Sequence, residues 1–308
     1  MGTPQAAVPS LQRCLSDGHQ VAAVYTQPDR PSGRGNKVTY SPVKACALQN
    51  DIPVFQPLKI KTDEALAEFR AHEADLAVVV AYGRILPESF LKAFPRGAIN
   101  VHFSLLPKYR GAAPVNWAIV NGEEITGVTT MNMDIGLDTG DIFLQQEVEI
   151  GPAETSLELM TRLSFLGAEL LSETLRKIDM IVPVAQNSDE ATYAPIMNRD
   201  DGRIDWMMPA KSIADRVRGF QPFPTAFTRF RDNKVTIWQA SEKKVEVRPR
   251  GLPGEIIGVE KDRLIVKCGE SSVLQVTEMQ LEGKRRMAVR DIINGIQPMP
   301  GEMFGSNE

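Results

Sequence analysis

The sequence predicts an α/β protein in two parts, a doubly wound and mostly parallel sheet followed by a small β-barrel. Three observations carry that expectation. Over the first ~180 residues, short β-rich runs alternate with amphipathic stretches, the rhythm of βαβ units. Residues 76–81 are continuously apolar, as a parallel strand covered on both faces must be. Beyond residue 180 the helical period fades, and short strand-like runs separated by turn residues take over.

Taken in order, residues 21–26 are the first β-rich run. Ser41 and Pro42 supply an N-cap and a first-turn proline for a helix through Leu48. Residues 54–57 are a short extended piece, and Thr62 caps the amphipathic stretch 63–72. After the apolar strand, a short helix begins at Pro87 and a strand spans 98–102. Residues 113–120 read as a helix that stops near Asn121-Gly122, 128–133 and 142–148 as strands, and 156–178 as a long amphipathic helix. Residues 181–195 have no clear period. A short helix near 211–220 then leads into β-rich runs at 225–230, 235–240, 255–259, 264–268 and 273–281. Asp232-Asn233, Gly251-Leu252-Pro253-Gly254 and Gly269 punctuate them. Some five strands in ~100 residues suit a barrel of the oligonucleotide-binding type. The expected division is 1–180, a linker at 181–200, and 201–308.

Composition removes several classes. The 308 residues are 43% hydrophobic and 24% charged, a globular balance without repeats or low-complexity segments. The longest apolar run falls far short of the ~20 residues of a membrane span. No basic segment followed by an apolar stretch opens the chain as a secretory signal would. Cys14, Cys46 and Cys268 are too few and too scattered for a disulfide framework, and no CxxC pair suggests zinc. With only His19, His72 and His102, no multi-histidine metal centre is expected. The expectation is a metal-free protein of a reducing compartment, the cytoplasm. Charge is uneven: residues 1–197 carry 16 Lys+Arg against 23 Asp+Glu, and residues 198–308 carry 19 against 16. A basic second part suits a polyanionic partner, although a solvated surface produces such splits as well.

Ligand sites in open α/β sheets lie at the carboxyl ends of strands. Asn100 and His102, two apart, share one face at such an end. A carboxamide and an imidazole there are hydrogen-bond donors suited to a developing oxyanion. A second element is the loop Met133-Asp134-Ile135-Gly136-Leu137-Asp138-Thr139-Gly140-Asp141. It lacks EF-hand spacing, but a carboxylate in it could orient the imidazole or accept a proton. Spacing alone does not choose among Asp134, Asp138 and Asp141. A third element is the Gln27-to-Lys37 loop with Arg30, Arg34 and Lys37; no acidic residue occurs between Arg30 and Asn50, which suits phosphate contacts.

Together these elements resemble the folate-dependent formyltransferases. The resemblance rests on Asn100-Val101-His102 running into Ser104-Leu105-Leu106-Pro107 and then Tyr109-Arg110-Gly111-Ala112-Ala113-Pro114. The Gly136-Leu137-Asp138-Thr139-Gly140-Asp141 and basic loops are similar to the tRNA-directed branch of that superfamily. So are Asp201-Gly202-Arg203-Ile204-Asp205-Trp206, Phe220-Gln221-Pro222-Phe223-Pro224 and Gln280-Leu281-Glu282-Gly283-Lys284. The resemblance implies a Rossmann-like catalytic domain and an OB-like tRNA-binding domain. It implies Asn100, His102 and Asp138 as the catalytic set, and Ser104, Leu105, Leu106 and Pro107 as the folate-binding stretch. Arg34, with Arg30 and Lys37, is implied at the tRNA acceptor stem. The implied reaction moves the formyl group of 10-formyltetrahydrofolate to the α-amine of methionyl-initiator-tRNA, without metal, in a monomer. A sugar-nucleotide formyltransferase and a non-catalytic folate- or RNA-binding homologue are the alternatives. Two departures stand out. Ile196 follows Tyr193-Ala194-Pro195 where the family usually has lysine. The family's apolar first strand, ahead of Gly2-Thr3-Pro4, is missing, so several more apolar residues are expected upstream.

Overall fold

The computed structural model describes residues 1–32, 37–247 and 249–305. The chain divides into two compact units. The first comprises Met1–Pro114, Ile125–Glu149 and Met160–Pro195, and the second Val115–Glu124, Ile150–Leu159 and Ile196–Glu308.

The strands of the first unit are β1 (Val24–Tyr25), β2 (Arg30–Ser32), β3 (Lys37–Thr39), β4 (Val54–Phe55), β5 (Ala77–Val79), β6 (Ala98–His102), β7 (Arg110–Gly111), β8 (Ile125–Asn132), β9 (Ile142–Glu149) and β10 (Tyr193–Ala194). Its helices α1 (Val8–Ser16), α2 (Pro42–Gln49), α3 (Asp63–Arg70) and α4 (Glu88–Leu91) precede β6. In chain order α5 (Pro114–Val120), which from Val115 belongs to the second unit, lies between β7 and β8, and α6 (Ser156–Lys177), part of the first unit from Met160, follows β9. The caps are those the sequence suggests: Ser41 Oγ accepts from the Lys44 amide and Thr62 Oγ1 from the Ala65 amide, both at 3.2 Å. Helix α1, with Pro9 in its first turn, was not anticipated.

Strands β1 and β4 are parallel, as are β5 and β6. Between the two pairs lies Met1-Gly2: the Gly2 amide donates to Tyr25 O, and the Val80 amide donates to Met1 O, each at 2.9 Å. Met1-Gly2 thus fills part of the slot between β1 and β5. The rest of that slot is a cavity of about 610 Å³, lined among others by Val21, Ala23, Leu76, Val78, Cys14 and Leu175. Strands β8 and β9 extend the sheet antiparallel to β6 and to each other. The loop 133–141 between β8 and β9 carries no crossover helix, so the pair can only be a hairpin.

The core on one side of the sheet is aromatic, with Phe69 edge-on to Tyr25 at 5.1 Å and against Phe94 at 4.7 Å. Helix α6 lies tight on β6: a Cβ at Gly167 would come within 2.8 Å of Val101 Cγ1. The stretch 181–200, expected as a linker, is not free chain up to Pro195. Val184 bridges to Ile142, and β10 pairs in parallel with β7. A two-residue strand and a single bridge leave no periodicity to read in a sequence.

In the second unit α7 (Ala210–Gly219) precedes β11 (Ala226–Phe230), β12 (Asn233–Glu242), β13 (Ile256–Glu260), β14 (Arg263–Lys267), β15 (Val273–Leu281), β16 (Met287–Ala288) and α8 (Val289–Ile296). The strand order is β11-β12-β15-β14-β13, with β16 on β15. The two edges are joined by the C-terminal segment: Phe304 bridges to Phe230 at the end of β11, and Met303 bridges to Glu255 just ahead of β13. That closure makes the sheet a barrel. Inside it Phe304 stacks on Trp206 at 5.4 Å, and Trp206 Nε1 donates to Thr228 Oγ1 at 3.1 Å. Among the described residues no helix is long and apolar enough to cross a membrane.

Candidate active site

Strand β6 is buried along its whole length. Its alternation turns Val101 toward α6 and puts Asn100 and His102 on the opposite face. Both are buried, at 9% and 6% exposure. Among the described residues the Asn100 carboxamide has no hydrogen-bond partner. His102 Nε2 lies 2.9 Å from Tyr109 O. A carbonyl only accepts, so Nε2 carries a hydrogen and donates it, leaving Nδ1 as the free working atom of the ring.

The segment after β6 is stitched in place by its own polar groups. Ser104 is fully buried, and its hydroxyl donates to Lys108 O at 2.6 Å. Thr129 Oγ1 donates to Ser104 O and accepts from the Leu106 amide, while Gln145 Nε2 donates to Leu106 O. The side chain of Ser104 is therefore used internally, and any ligand contact from Ser104, Leu105, Leu106 and Pro107 falls to backbone and apolar surface. The chain then returns through Tyr109, in the left-handed region with φ 60°, to bring its carbonyl to His102.

The three loop aspartates have different places. Asp134 takes the Gly136 amide and the Thr139 hydroxyl, closing its own turn. Asp141 is exposed. Asp138, at φ 53°, turns inward: its Oδ2 accepts from the Gly111 amide at 2.8 Å and stands 3.7 Å from His102 Nδ1. Position 111 must be glycine, because a Cβ there would fall 2.6 Å from Ala194 O of β10. Nothing in the spacing announced the Tyr109 carbonyl, the Gly111 amide or Thr129 as the groups that fix this geometry.

The chemistry this arrangement offers is an unpaired amide donor next to an imidazole–carboxylate pair, in a buried strand end. Among the described residues no group of three or more His, Cys, Asp or Glu is placed to hold a metal ion.

Residues 1–175 match the formyl transferase family, and residues 196–297 match the formyl transferase C-terminal domain. A methionyl-tRNA formyltransferase of Alkaliphilus oremlandii is 47% identical over 99% of this chain and 98% of its own. One of Koribacter versatilis is 49% identical over 99% and 97%. The chain belongs to the methionyl-tRNA formyltransferase family. Solved structures agree on the fold. An N-formyltransferase from Helicobacter canadensis, in complex with folinic acid and dTDP-3-aminofucose, superposes with a TM-score of 0.64 at 20% identity, over 89% of this chain and 96% of that one. A methionyl-tRNA formyltransferase from Clostridium thermocellum gives 0.51 at 22% identity, over 64% and 86%.

The basic loop of this family member stands on a polar base. Arg30 is exposed on β2, which pairs antiparallel with β3, where Lys37 is the first residue. Arg34 lies outside the described residues. Below the loop, Lys44 Nζ reaches Asp29 Oδ2 at 2.5 Å and Gln56 Oε1 at 2.7 Å, and sits 4.2 Å from the Tyr40 ring centre. Gln56 Nε2 donates to Asp29 Oδ1 at 2.9 Å. The Lys44 ammonium, with Gln56, holds the Asp29 carboxyl below its ordinary range.

Proposed function

We propose that this protein transfers the formyl group of 10-formyltetrahydrofolate to the α-amine of methionine carried by initiator tRNA. The relatives at 47% and 49% identity support the acceptor, and a folate-type ligand in the Helicobacter canadensis structure supports the donor class. The observation that carries the mechanism is the unpartnered Asn100 carboxamide beside His102 and Asp138.

The α-amine attacks the formyl carbon, and a tetrahedral centre with a negative oxygen forms. Asn100 donates a hydrogen bond to that oxygen, an interaction worth up to about 3–4 kcal/mol in a dry site. The amine has an ordinary pKa near ~8 or below and is partly neutral at pH 7, so no strong base is needed to start. As the new C–N bond forms, His102 Nδ1 takes the proton the amine sheds, with Asp138 Oδ2 facing the charge that appears on the ring. Nδ1 returns the proton to the folate nitrogen as its bond to the formyl carbon breaks. Formylmethionyl-tRNA and tetrahydrofolate leave, and the protein is unchanged.

Arg30, Arg34 and Lys37 meet the acceptor-stem phosphates in this reading. The barrel from residue 201 adds further contacts, with Lys284 and Arg285 exposed between β15 and β16. The test is formyl transfer from 10-formyltetrahydrofolate measured with two acceptors, methionyl-initiator-tRNA and a dTDP-linked amino sugar. Turnover with the tRNA and none with the sugar nucleotide is expected. Preference for the sugar, or transfer to neither while folate still binds, overturns the proposal.

A further inference from the structure

Gln186 lies in the segment between α6 and β10, two residues beyond the bridge from Val184 to Ile142. Its amide is fully used. Nε2 donates to Asp138 O at 2.9 Å and to Gly140 O at 2.7 Å, and Oε1 accepts from Arg110 Nε at 3.0 Å and Nη2 at 2.8 Å. A primary amide has two N–H donors and two acceptor positions, and all are filled.

Two of its partners, Asp138 and Arg110, bear on the reacting pair. Asp138 is in the left-handed region, φ 53°, a backbone state that costs about 1–3 kcal/mol and persists only where its surroundings hold it. Gln186 holds that residue by its carbonyl, while the Gly111 amide holds it by its carboxylate. Arg110, 3% exposed, has no carboxylate within ion-pair distance among the described residues, and its head group rests on the Gln186 oxygen. Its backbone precedes Gly111 and is paired with β10. A single amide thus spans the two segments, β7 and the 133–141 loop, that together place Oδ2 opposite His102 Nδ1.

We propose that Gln186 is a positioning residue for formyl transfer: with Arg110 it holds the Asp138 loop against β7, so that the carboxylate faces the imidazole. The proposal rests on the reading of His102 and Asp138 as the proton-transfer pair. Gln186 touches backbone, Arg110 and the Met131 sulfur, all of them parts of the protein itself, so its loss acts on the chemical step and leaves binding of the two substrates alone. Misplacement of a reacting group by ~1 Å costs about 10²-fold in rate.

The experiment compares Gln186→Ala, Gln186→Glu and Asp138→Asn in single-turnover and steady-state formyl transfer to methionyl-tRNA. Gln186→Glu keeps an acceptor for Arg110 but loses both donations to the loop carbonyls. It therefore separates support of a buried guanidinium from placement of Asp138, and it decides the matter if Gln186→Ala does not fold. Both Gln186 variants are expected to lower kcat about 10- to 100-fold, with KM for tRNA and for folate within about threefold. A Gln186→Glu protein with native kcat overturns the proposal, as does a loss that appears in KM alone. Native kcat in Asp138→Asn instead overturns the proton-transfer reading on which it rests.

Discussion

Asp138→Asn is the substitution that separates chemistry from architecture at this site. Asparagine tolerates the left-handed backbone nearly as well as aspartate, so φ 53° at this position is not penalised as it would be by alanine. An amide oxygen can still accept from the Gly111 amide, now 2.8 Å from Oδ2, but without charge. Charge-assisted hydrogen bonds contribute about 1.5–3 kcal/mol and neutral ones about 0.5–1.5, so the structural loss is about 1 kcal/mol. In a protein of this size that lowers the melting temperature by about 2–4 °C. The chemical loss is much larger. A carboxamide cannot face an imidazolium with a negative charge or accept its proton, and general acid–base assistance is worth about 10²–10⁴ in rate. The assay is single-turnover transfer from saturating 10-formyltetrahydrofolate to methionyl-tRNA, with a thermal melt on the same preparation. A rate within about threefold of native refutes the pairing of Asp138 with His102. A fall in rate that only tracks a collapse in melting would reassign Asp138 to folding.

Three further expectations follow from other parts of the chain. Arg34→Ala is expected to weaken tRNA affinity and flatten its salt dependence by about one unit of log–log slope, with folate binding unchanged; an unaltered slope removes Arg34 from the phosphate contacts. Phe304→Ala removes the aromatic that stacks on Trp206 and packs tilted against Phe230 where the barrel closes. It is expected to cost about 3–5 kcal/mol in urea unfolding followed by tryptophan fluorescence, and a loss under about 1 kcal/mol would mean that the closure is dispensable. Burial pushes the Cys14 thiol up to about 11 and the Cys268 thiol up to about 12, and raises Cys46 as well. Alkylation at pH 8 is therefore expected to be at least ~100-fold slower in the native protein than in guanidinium, and rapid native labelling of any of the three contradicts that burial.

What could be read from the sequence was whatever repeats along the chain. The caps at Ser41 and Thr62 are local, one side chain reaching an amide three residues on, and they are found where the residue types put them. The shared face of Asn100 and His102 follows from strand alternation alone. The selection of Asp138 was another matter. Asp134, Asp138 and Asp141 have equivalent spacing, and what distinguishes them is tertiary: a Gly111 amide 27 residues away donates to Asp138, while Asp134 is spent on its own turn. Gln186 had no signal at all, since its partners are two backbone carbonyls, a methionine sulfur and an arginine in segments that no period links to it. The closure of the barrel by Met303 and Phe304 was equally silent, because two bridging residues make no strand pattern.

The division of labour in the site follows from the same difference. Asn100 and His102 are carried by β6, buried between β5 and β8 and pressed by α6, where no neighbour can move without opening the sheet. Asp138 is carried by a loop, and a loop carboxylate has no packed core to fix it. Its place is instead set by hydrogen bonds at each end of the residue, from the Gly111 amide to the carboxylate and from Gln186 to the carbonyl. The 3.7 Å between Oδ2 and Nδ1 is longer than a hydrogen bond. A modest shift of the loop would bring the two into contact, so the pair is held close without being locked together. In the proposed mechanism that separation leaves Nδ1 free to take the proton from the substrate amine. In that mechanism the rigid strand would fix where the oxyanion forms, and the tethered loop would supply the charge that answers it.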